Sequence, residues 1–309
     1  MDLKLRSYQS EDDYWRVRNF LREVFLLNDR LENSWHVARL DHWRYHFIDT
    51  CHVIESIKDG IALWEASDGK IASVVTGLGE GEFRLHIHPR FLEVELVEVM
   101  LSWVETQLAV RHGEKHTVYL PVFEHNHFLQ EILLRSGYTR QSGKSRHWWR
   151  DLDASIGLAP VPAGYVVRSM GGLDEHPARS WASWRAFHAD EPIADYDGDH
   201  SWYLNFQSAP LYRRDLDIVA VTETGEIASF CTVSYDDYTR SAVCVLVGTA
   251  AEHWRRGLGK AVITEGMRRA RHLGCTRIFA TAYDPPANAL YGSVLQTHRV
   301  AETWSKRWE

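Results

Sequence analysis

Cysteine is scarce. Cys51, Cys231, Cys244 and Cys275 are the only four in 309 residues, and no two stand at a C-x-x-C spacing. That pattern excludes a disulfide scaffold or a zinc ribbon and predicts reduced core thiols in a cytoplasmic protein. Long apolar runs are missing: none approaches the roughly 18 residues of a membrane-spanning helix. The opening stretch, Met1-Asp-Leu-Lys-Leu-Arg6, lacks the apolar core of a signal peptide. There is no surplus of positive charge either. Thirty-five Lys and Arg against 42 Asp and Glu leave a net charge of −7, which argues against nucleic acid as a main partner. The seventeen histidines show no ligand spacing with a third partner: His86 and His88 alternate, and His125 and His127 flank Asn126. No metal site is predicted. What is present is a chain long enough for two domains, 45% apolar and rich in tryptophan, with thirteen.

The chain is organised around residues 243–271. Val243 to Val247 is a β-branched run that reads as a buried strand. A helix follows, with Leu258, Val262, Ile263, Met267 and Ala270 near one face. The turn between them carries Arg255, Arg256, Gly257, Gly259 and Lys260. Two glycines opening a helix leave backbone N–H groups uncovered, and the helix dipole and three cations add positive potential. The combination predicts a phosphate site. A Walker loop is excluded by Trp254 and Ala261, and a dinucleotide fingerprint by Val262.

The organisation repeats. In residues 1–152 a strand at Leu3–Arg6 precedes a helix opened by Ser10 and Asp13, spaced like a capping box. Strands at 61–66, 71–76 and 83–88, a helix at 92–108, a strand at 117–122 and a short helix at 128–134 follow. Trp148–Arg150 is expected to close the unit. Residues 153–164 hold two prolines and two glycines without periodicity and read as a linker. The pattern then restarts over 165–309. Arg168 matches Arg6 at an offset of 162, Gly225-Glu-Ile-Ala-Ser229 matches Gly69-Lys-Ile-Ala-Ser73 at 156, Ala251 matches Pro89 at 162, and Asp284 matches Asn126 at 158. Near-constant offsets in a shared order predict an internal duplication.

The glycine turn resembles the acetyl-CoA pyrophosphate loop of the GNAT family of N-acetyltransferases, Gln/Arg-x-x-Gly-x-Gly/Ala. Gly257 and Gly259 fill the glycine positions, and Trp254 stands where the family has Gln or Arg. Asp284-Pro-Pro-Ala287-Asn-Ala-Leu290-Tyr291 resembles a second family motif, Asn-x-x-Ala-x-x-Leu-Tyr, with Asp284 for Asn and Asn288 nearby as a stand-in. The resemblance implies an α/β (α+β) fold of two tandem GNAT-like domains, each a mixed, mostly antiparallel sheet flanked by helices. It also implies acetyl-CoA as the acyl donor. The diphosphate would be held by Arg255, Arg256, Gly257, Leu258, Gly259 and Lys260. The pantetheine arm would lie along Val247, Gly248 and Thr249, where the strand splays from its neighbour. Tyr291 would protonate the leaving thiolate. The acceptor implied is the primary amine of a small molecule.

No general base stands out among Asp236, Asp237 and Glu252. The loop 188–199, with five carboxylates and aromatic neighbours, is the expected acceptor wall. In the first copy, Glu95 and Val97 fall where Gly257 and Gly259 stand, and Leu133 where Tyr291 stands. That copy is expected to bind no acetyl-CoA, because a carboxylate would repel the diphosphate. The rival expectations are a CoA-binding regulator or scaffold without catalysis, and an acyltransferase using another acceptor.

Overall fold

A computed structural model describes residues 3–309; Met1 and Asp2 of the opening stretch lie outside the described residues. The chain divides into two compact units, each a sheet flanked by helices. The first runs to His147 and takes in Arg299–Glu309, and the second is Trp148–His298.

The first unit begins with β1 (Leu3–Ser7) and α1 (Glu11–Leu27). Tyr14, Val17, Leu21, Val24 and Phe25 form the buried stripe of α1, the spacing a helix needs to cover one face of a sheet. Its start is held differently from the expected capping box. The Ser10 side chain makes no cap bond. Asp13 accepts the Gln9 N–H at 2.8 Å and both Arg6 guanidinium nitrogens, and these bonds hold its carboxyl far below the usual range. The Trp- and His-rich stretch folds as α2 (Val37–His42) running into a π-helical turn, Trp43–Ile48. Strands β2 (Ile61–Ala66), β3 (Ile71–Gly79) and β4 (Glu82–Ile87) form an antiparallel meander. Helix α3 (Val94–Gln107), the short β5 (Val110–His112), β6 (Lys115–Phe123) and α4 (His127–Arg135) complete the order. Strand β7 (Thr139–Asp151) runs on from there. Alternate residues of β2 serve opposite cores: Ile61 and Leu63 pack with α1, Ala62 and Trp64 with α3.

The second unit repeats the plan. No helix or strand lies between Asp151 and Tyr165. Strand β8 (Tyr165–Ser169), helices α5 (His176–Phe187) and α6 (Ser201–Gln207), and strands β9 (Asp217–Thr222), β10 (Ile227–Asp236) and β11 (Ser241–Thr249) follow. Then come α7 (Leu258–His272), β12 (Arg277–Ala282) and α8 (Pro285–Gly292). Strands β8 to β11 pair antiparallel in sequence order, and β12 joins β11 in parallel. The duplication shows in detail: Pro89–Phe91 and Ala251–His253 are both 3-10 turns after the corresponding strand, and Asn126 and Asp284 both cap the last helix through their side chains.

The boundaries differ from those read along the chain. The last strand, β13 (Thr297–Trp308), pairs with β6 from Ala301↔Phe123 to Trp308↔His116, which places 299–309 in the first unit. Trp148 belongs with the second unit, where its indole donates to Asn288 Oδ1 at 3.0 Å. A strand belongs where its ladder lies, and a strand ladder leaves no mark in local composition. Among the described residues no helix is long and apolar enough to cross a membrane.

His86 is fully buried in the first unit, with Nε2 3.0 Å from Thr76 Oγ1 and Nδ1 accepting the Trp35 N–H at 3.3 Å. Burial pushes its pKa down to about 3. A folded value below the unfolded one means the unfolded chain binds the extra proton between about pH 6.5 and pH 3, so stability falls as pH drops through that window. His86→Asn should remove one such proton from the linkage. Denaturant titrations across that window should lose about 1.4 kcal/mol per pH unit of slope relative to wild type.

Candidate active site

The site begins where β11 leaves β12. The two strands are paired only at Ser241↔Arg277, Ala242↔Ile278 and Val243↔Phe279. On its other side β11 stays paired with β10 out to Thr249. The register shifts there: Thr232 faces Leu246 and Val233 faces Cys244, so Val245 is an extra residue on β11. A bulge of this kind bends its strand and increases its twist, which accounts for the parting. Beyond Val243, β11 has main-chain groups that β12 does not pair, and the family expectation placed Val247, Gly248 and Thr249 in that stretch.

The parted end is tightly built. A Cβ on Gly248 would lie 2.4 Å from the Phe230 ring and 2.8 Å from Ala186 Cβ. Only glycine lets α5 approach the strand this closely. Ser229 Oγ donates to the Gly248 carbonyl at 2.8 Å and lies 2.9 Å from Thr249 Oγ1. The Trp254 indole donates to the Thr249 carbonyl at 2.7 Å. The tryptophan that departs from the family motif thus ties the loop back to the strand.

After the Ala251–His253 turn the chain enters α7. Arg255 has φ +61° and Gly257, the N-cap, has φ +82°. A Cβ at Gly257 would meet nothing within 4 Å, so glycine is needed there for the left-handed backbone rather than for space. No side chain caps the helix. Among the described residues, the N–H groups from Arg255 to Lys260 have no hydrogen-bond acceptor; the first main-chain bond of the helix is Ala261 N–H to the Gly257 carbonyl. This is a row of free donors at the positive end of a four-turn helix. Gly259 sits against the second motif: a Cβ there would lie 3.1 Å from Leu290 Cδ2 and 3.5 Å from Thr249 Oγ1. The structure therefore brings together the end of β11, the head of α7 and α8.

The cations do not all serve the loop. Arg256 donates to Tyr165 Oη at 2.9 Å and to the Glu252 carbonyl at 3.2 Å. Tyr165 Oη lies 2.8 Å from His253 Nδ1, and His253 Nε2 lies 3.2 Å from Glu226. Arg255 and Lys260 are exposed and have no ion-pair partner among the described residues.

The second motif caps its own helix. Asp284 Oδ1 accepts the Ala287 N–H at 2.8 Å, the bond an Asn would also make, so the Asp-for-Asn difference preserves the N-cap. Asn288 is engaged at both ends, accepting from Trp148 and donating to the Asp284 carbonyl at 2.8 Å. Its amide is thus a structural tie within the second unit. Tyr291 is buried in the same core as Leu258, the first residue of α7.

The carboxylates considered as bases are accounted for. Glu252 is paired with the buried Arg185 at 2.7 Å, and its carboxyl is lowered although burial opposes the shift. Asp236 is buried and accepts from Thr239 Oγ1 at 2.7 Å. It and Asp237 stand at the far end of β11, roughly 25 Å along the strand from Thr249. In the acidic loop, Asp199 accepts the N–H of Ser201, the first residue of α6, at 2.9 Å. The aromatic neighbours cluster on and after α5. Trp181 and Trp184 stack at 5.8 Å, Tyr196 meets Trp181 edge-on at 5.1 Å, and His188 stacks on Trp184 at 5.7 Å.

The first unit has no equivalent loop. Helix α3 starts two residues earlier relative to its 3-10 turn than α7 does, so Glu93, its N-cap, stands opposite Gly257. Glu95 then faces Gly259 rather than Gly257, a shift from the expected register that leaves an acid at both glycine positions. Leu133 does stand opposite Tyr291, each seven residues after its N-cap.

Residues 180–295 match the model of the acetyltransferase (GNAT) family. No curated protein matches the chain. A tandem GNAT protein from the clavulanic acid biosynthesis pathway superposes over 99% of this chain and 98% of its own, with TM-score 0.67 and 14% identity. A GCN5-related N-acetyltransferase from Sphaerobacter thermophilus does so over 99% and 95%, with TM-score 0.65 and 15% identity. An acetyltransferase from the GNAT family of Colwellia psychrerythraea covers 98% and 100%, with TM-score 0.61 and 12% identity. At these identities the likeness is one of fold.

Replacing Gly257 by alanine forces a Cβ into the left-handed region without a clash. Denaturant unfolding should show a loss of about 1–2 kcal/mol, whereas the same change at exposed Gly157, where the backbone is not left-handed, should stay within about 0.5 kcal/mol.

Proposed function

We propose, since residues 180–295 form a domain of the acetyltransferase (GNAT) family and the whole chain has the tandem fold of that family, that the second unit transfers an acetyl group from acetyl-CoA to the primary amine of a small molecule. The observation that carries this reading is the row of free main-chain donors from Arg255 to Lys260 beside a strand that has parted from its neighbour. The donor set fits a diphosphate: uncovered N–H groups, a helix N-terminus, and the side chains of Arg255 and Lys260 within the same turn. Gly257, Leu258 and Gly259 would give their amides to the phosphate oxygens. Arg256 would contribute chiefly by fixing the loop through Tyr165. Acetyl-CoA supplies an activated carbonyl, at which a C–N bond forms and the C–S bond breaks.

The unpaired main chain of Val247 to Thr249 would hold the amide-bearing arm and offer an N–H to the carbonyl oxygen as charge gathers there. Tyr291 would carry the proton that the departing sulfur takes up, since a phenol O–H can donate to a thiolate. The amine would rest against the cluster of Trp181, Trp184 and Tyr196, since α5 abuts the parted strand at Ala186 and Gly248. Aromatic faces attract an ammonium group, and the carboxylates of 190–199 add negative potential. With Glu252 tied to Arg185, the amine's proton would leave through water. That same tie favours the second reading, a CoA-binding domain without catalysis.

Thiol release from acetyl-CoA, measured against a panel of small amines, separates the two. Catalysis predicts amine-dependent release. Tyr291→Phe should lower kcat by roughly 10²-fold with KM for acetyl-CoA little changed. Gly259→Val, which would press on Leu290, should raise that KM instead. Release that no amine accelerates would establish the binding role.

A further inference from the structure

Each unit buries an arginine of its first helix against its second helix. The units align at an offset of 162, where Asp13 accepts from Arg6 and Glu175 from Arg168. In the first unit, Arg18 of α1 donates to both carboxylate oxygens of Asp41 on α2, at 2.8 and 2.9 Å. The same offset puts Ser180 and Tyr203 at those two places in the second unit. The fully buried guanidinium there is that of Arg179, one residue earlier on α5. Among the described residues its Nε, Nη1 and Nη2 have no hydrogen-bond partner. Helix α6, Ser201–Gln207, contains no carboxylate. Asp217, in the same core, is taken up by Tyr203, by Tyr212 at 3.0 Å and by Thr232 at 2.7 Å. A cation removed from water without a counter-ion is costly, and the first unit shows that this fold can supply one.

The unpaired cation stands next to the parted strand. Its central carbon lies 3.5 Å from the centre of the Phe230 ring, 5.2 Å from that of Tyr203 and 5.8 Å from that of Trp202. Phe230 Cζ is the atom that a Cβ on Gly248 would meet at 2.4 Å, so one ring separates the guanidinium from the bare edge of β11. Of the three rings, Phe230 and Tyr203 are buried and Trp202 is partly exposed. The Trp202 indole donates to Ser180 Oγ at 3.0 Å, and Ser180 Oγ donates to the Asp199 carbonyl at 2.6 Å. Trp202 is thus latched to the end of the acidic loop as the outermost cover of Arg179. A guanidinium packed on an aromatic face still presents its N–H fork within its own plane, the geometry that two carboxylate oxygens match. One negative charge balances it. The second charge of a phosphate would face Asp217 and the carboxylates of 190–199.

We infer that the acceptor amine also carries a carboxylate, and that Arg179 pairs with this carboxylate when Trp202 moves aside. The inference rests on the acetyl-transfer reading of the second unit and narrows its substrate to an amino acid in the broad sense. The ammonium end would meet the aromatic cluster and the acidic loop, and the carboxylate end would supply in trans what Asp41 supplies to Arg18.

Saturation-transfer NMR titrations on the full chain, in the presence of CoA, test the assignment. The probes are β-alanine, γ-aminobutyrate and ε-aminocaproate, each against the amine that lacks its carboxyl: ethylamine, propylamine and pentylamine. In at least one pair the acid should bind roughly tenfold more tightly or better. Arg179→Met should erase that preference, and should melt no lower than wild type because it removes an unpaired buried charge. Trp202→Ala uncovers the guanidinium without removing it, so it keeps the test open if the methionine variant fails to fold. It should tighten the acids and leave the amines unchanged. The inference is overturned if no acid outbinds its amine, if the preference survives Arg179→Met, or if Trp202→Ala moves acids and amines equally. Thiol release from acetyl-CoA is read separately. Acids held through Arg179 without thiol release would sink the transfer reading and leave the carboxylate site standing.

Discussion

The structure depends on one departure from regular pairing: β11 keeps its ladder with β10 to Thr249 but abandons β12 after Val243. A central strand with one bare edge is costly, because every unpaired N–H and C=O in a water-poor setting loses a hydrogen bond. It persists because the rest of the unit holds it in place. Val245 supplies the extra residue that bends the strand. Gly248 lets Phe230 and Ala186 close in behind it. The Arg179 guanidinium, fully buried, lies 3.5 Å over the Phe230 ring and stiffens the same layer. The bare edge is thereby held open rather than healed by a neighbouring strand.

The head of α7 is the second half of the same arrangement. A helix N-terminus always leaves donors without acceptors, and proteins usually satisfy them with a capping side chain. Here the N-cap is Gly257, which has none to give. At α4 and α8 the corresponding position is Asn126 or Asp284, and each accepts from its own helix. Within one chain, then, three helices of duplicated origin separate into two that cap themselves and one that leaves its donors open. The fourth, α3, has Glu93 at its N-cap, whose side chain makes no cap bond but carries the wrong sign for an anion. The two units thus differ in the charge set at this helix head.

Much of this was legible beforehand. The duplication was written in offsets, because a fold's hydrophobic periods and turn residues survive when individual side chains change. The glycine pair was legible as a motif, and the structure gives each its reason: a left-handed backbone at Gly257, φ +82°, and close contact with Leu290 at Gly259. The correspondence of Asn126 and Asp284 was legible as an offset, and the structure adds that both cap their helices through their side chains. What was not legible had one cause: it depended on partners far along the chain. Arg256 stands in the expected phosphate loop, and that its guanidinium also bonds Tyr165, 91 residues away, is visible only in the fold. Glu252 was one of three carboxylates that the sequence left open as a base, and its pairing with Arg185, 67 residues away, is visible only in the fold. Asn288 was expected near the ligand, and that its amide oxygen accepts from Trp148, 140 residues away, is visible only in the fold.

The sequence by itself determined the local chemistry: which turn must be left-handed, which helix must begin without a cap, which faces are apolar, and that the pattern occurs twice. Only the tertiary structure decided which polar groups remain available and which strands belong together. The last strand joins the first unit because its ladder lies with β6. Glu252 and Arg185, like Glu32 and Arg39, cancel because the fold sets each pair side by side. Such cancellations depend on distances of a few ångströms between residues that composition and spacing treat as independent.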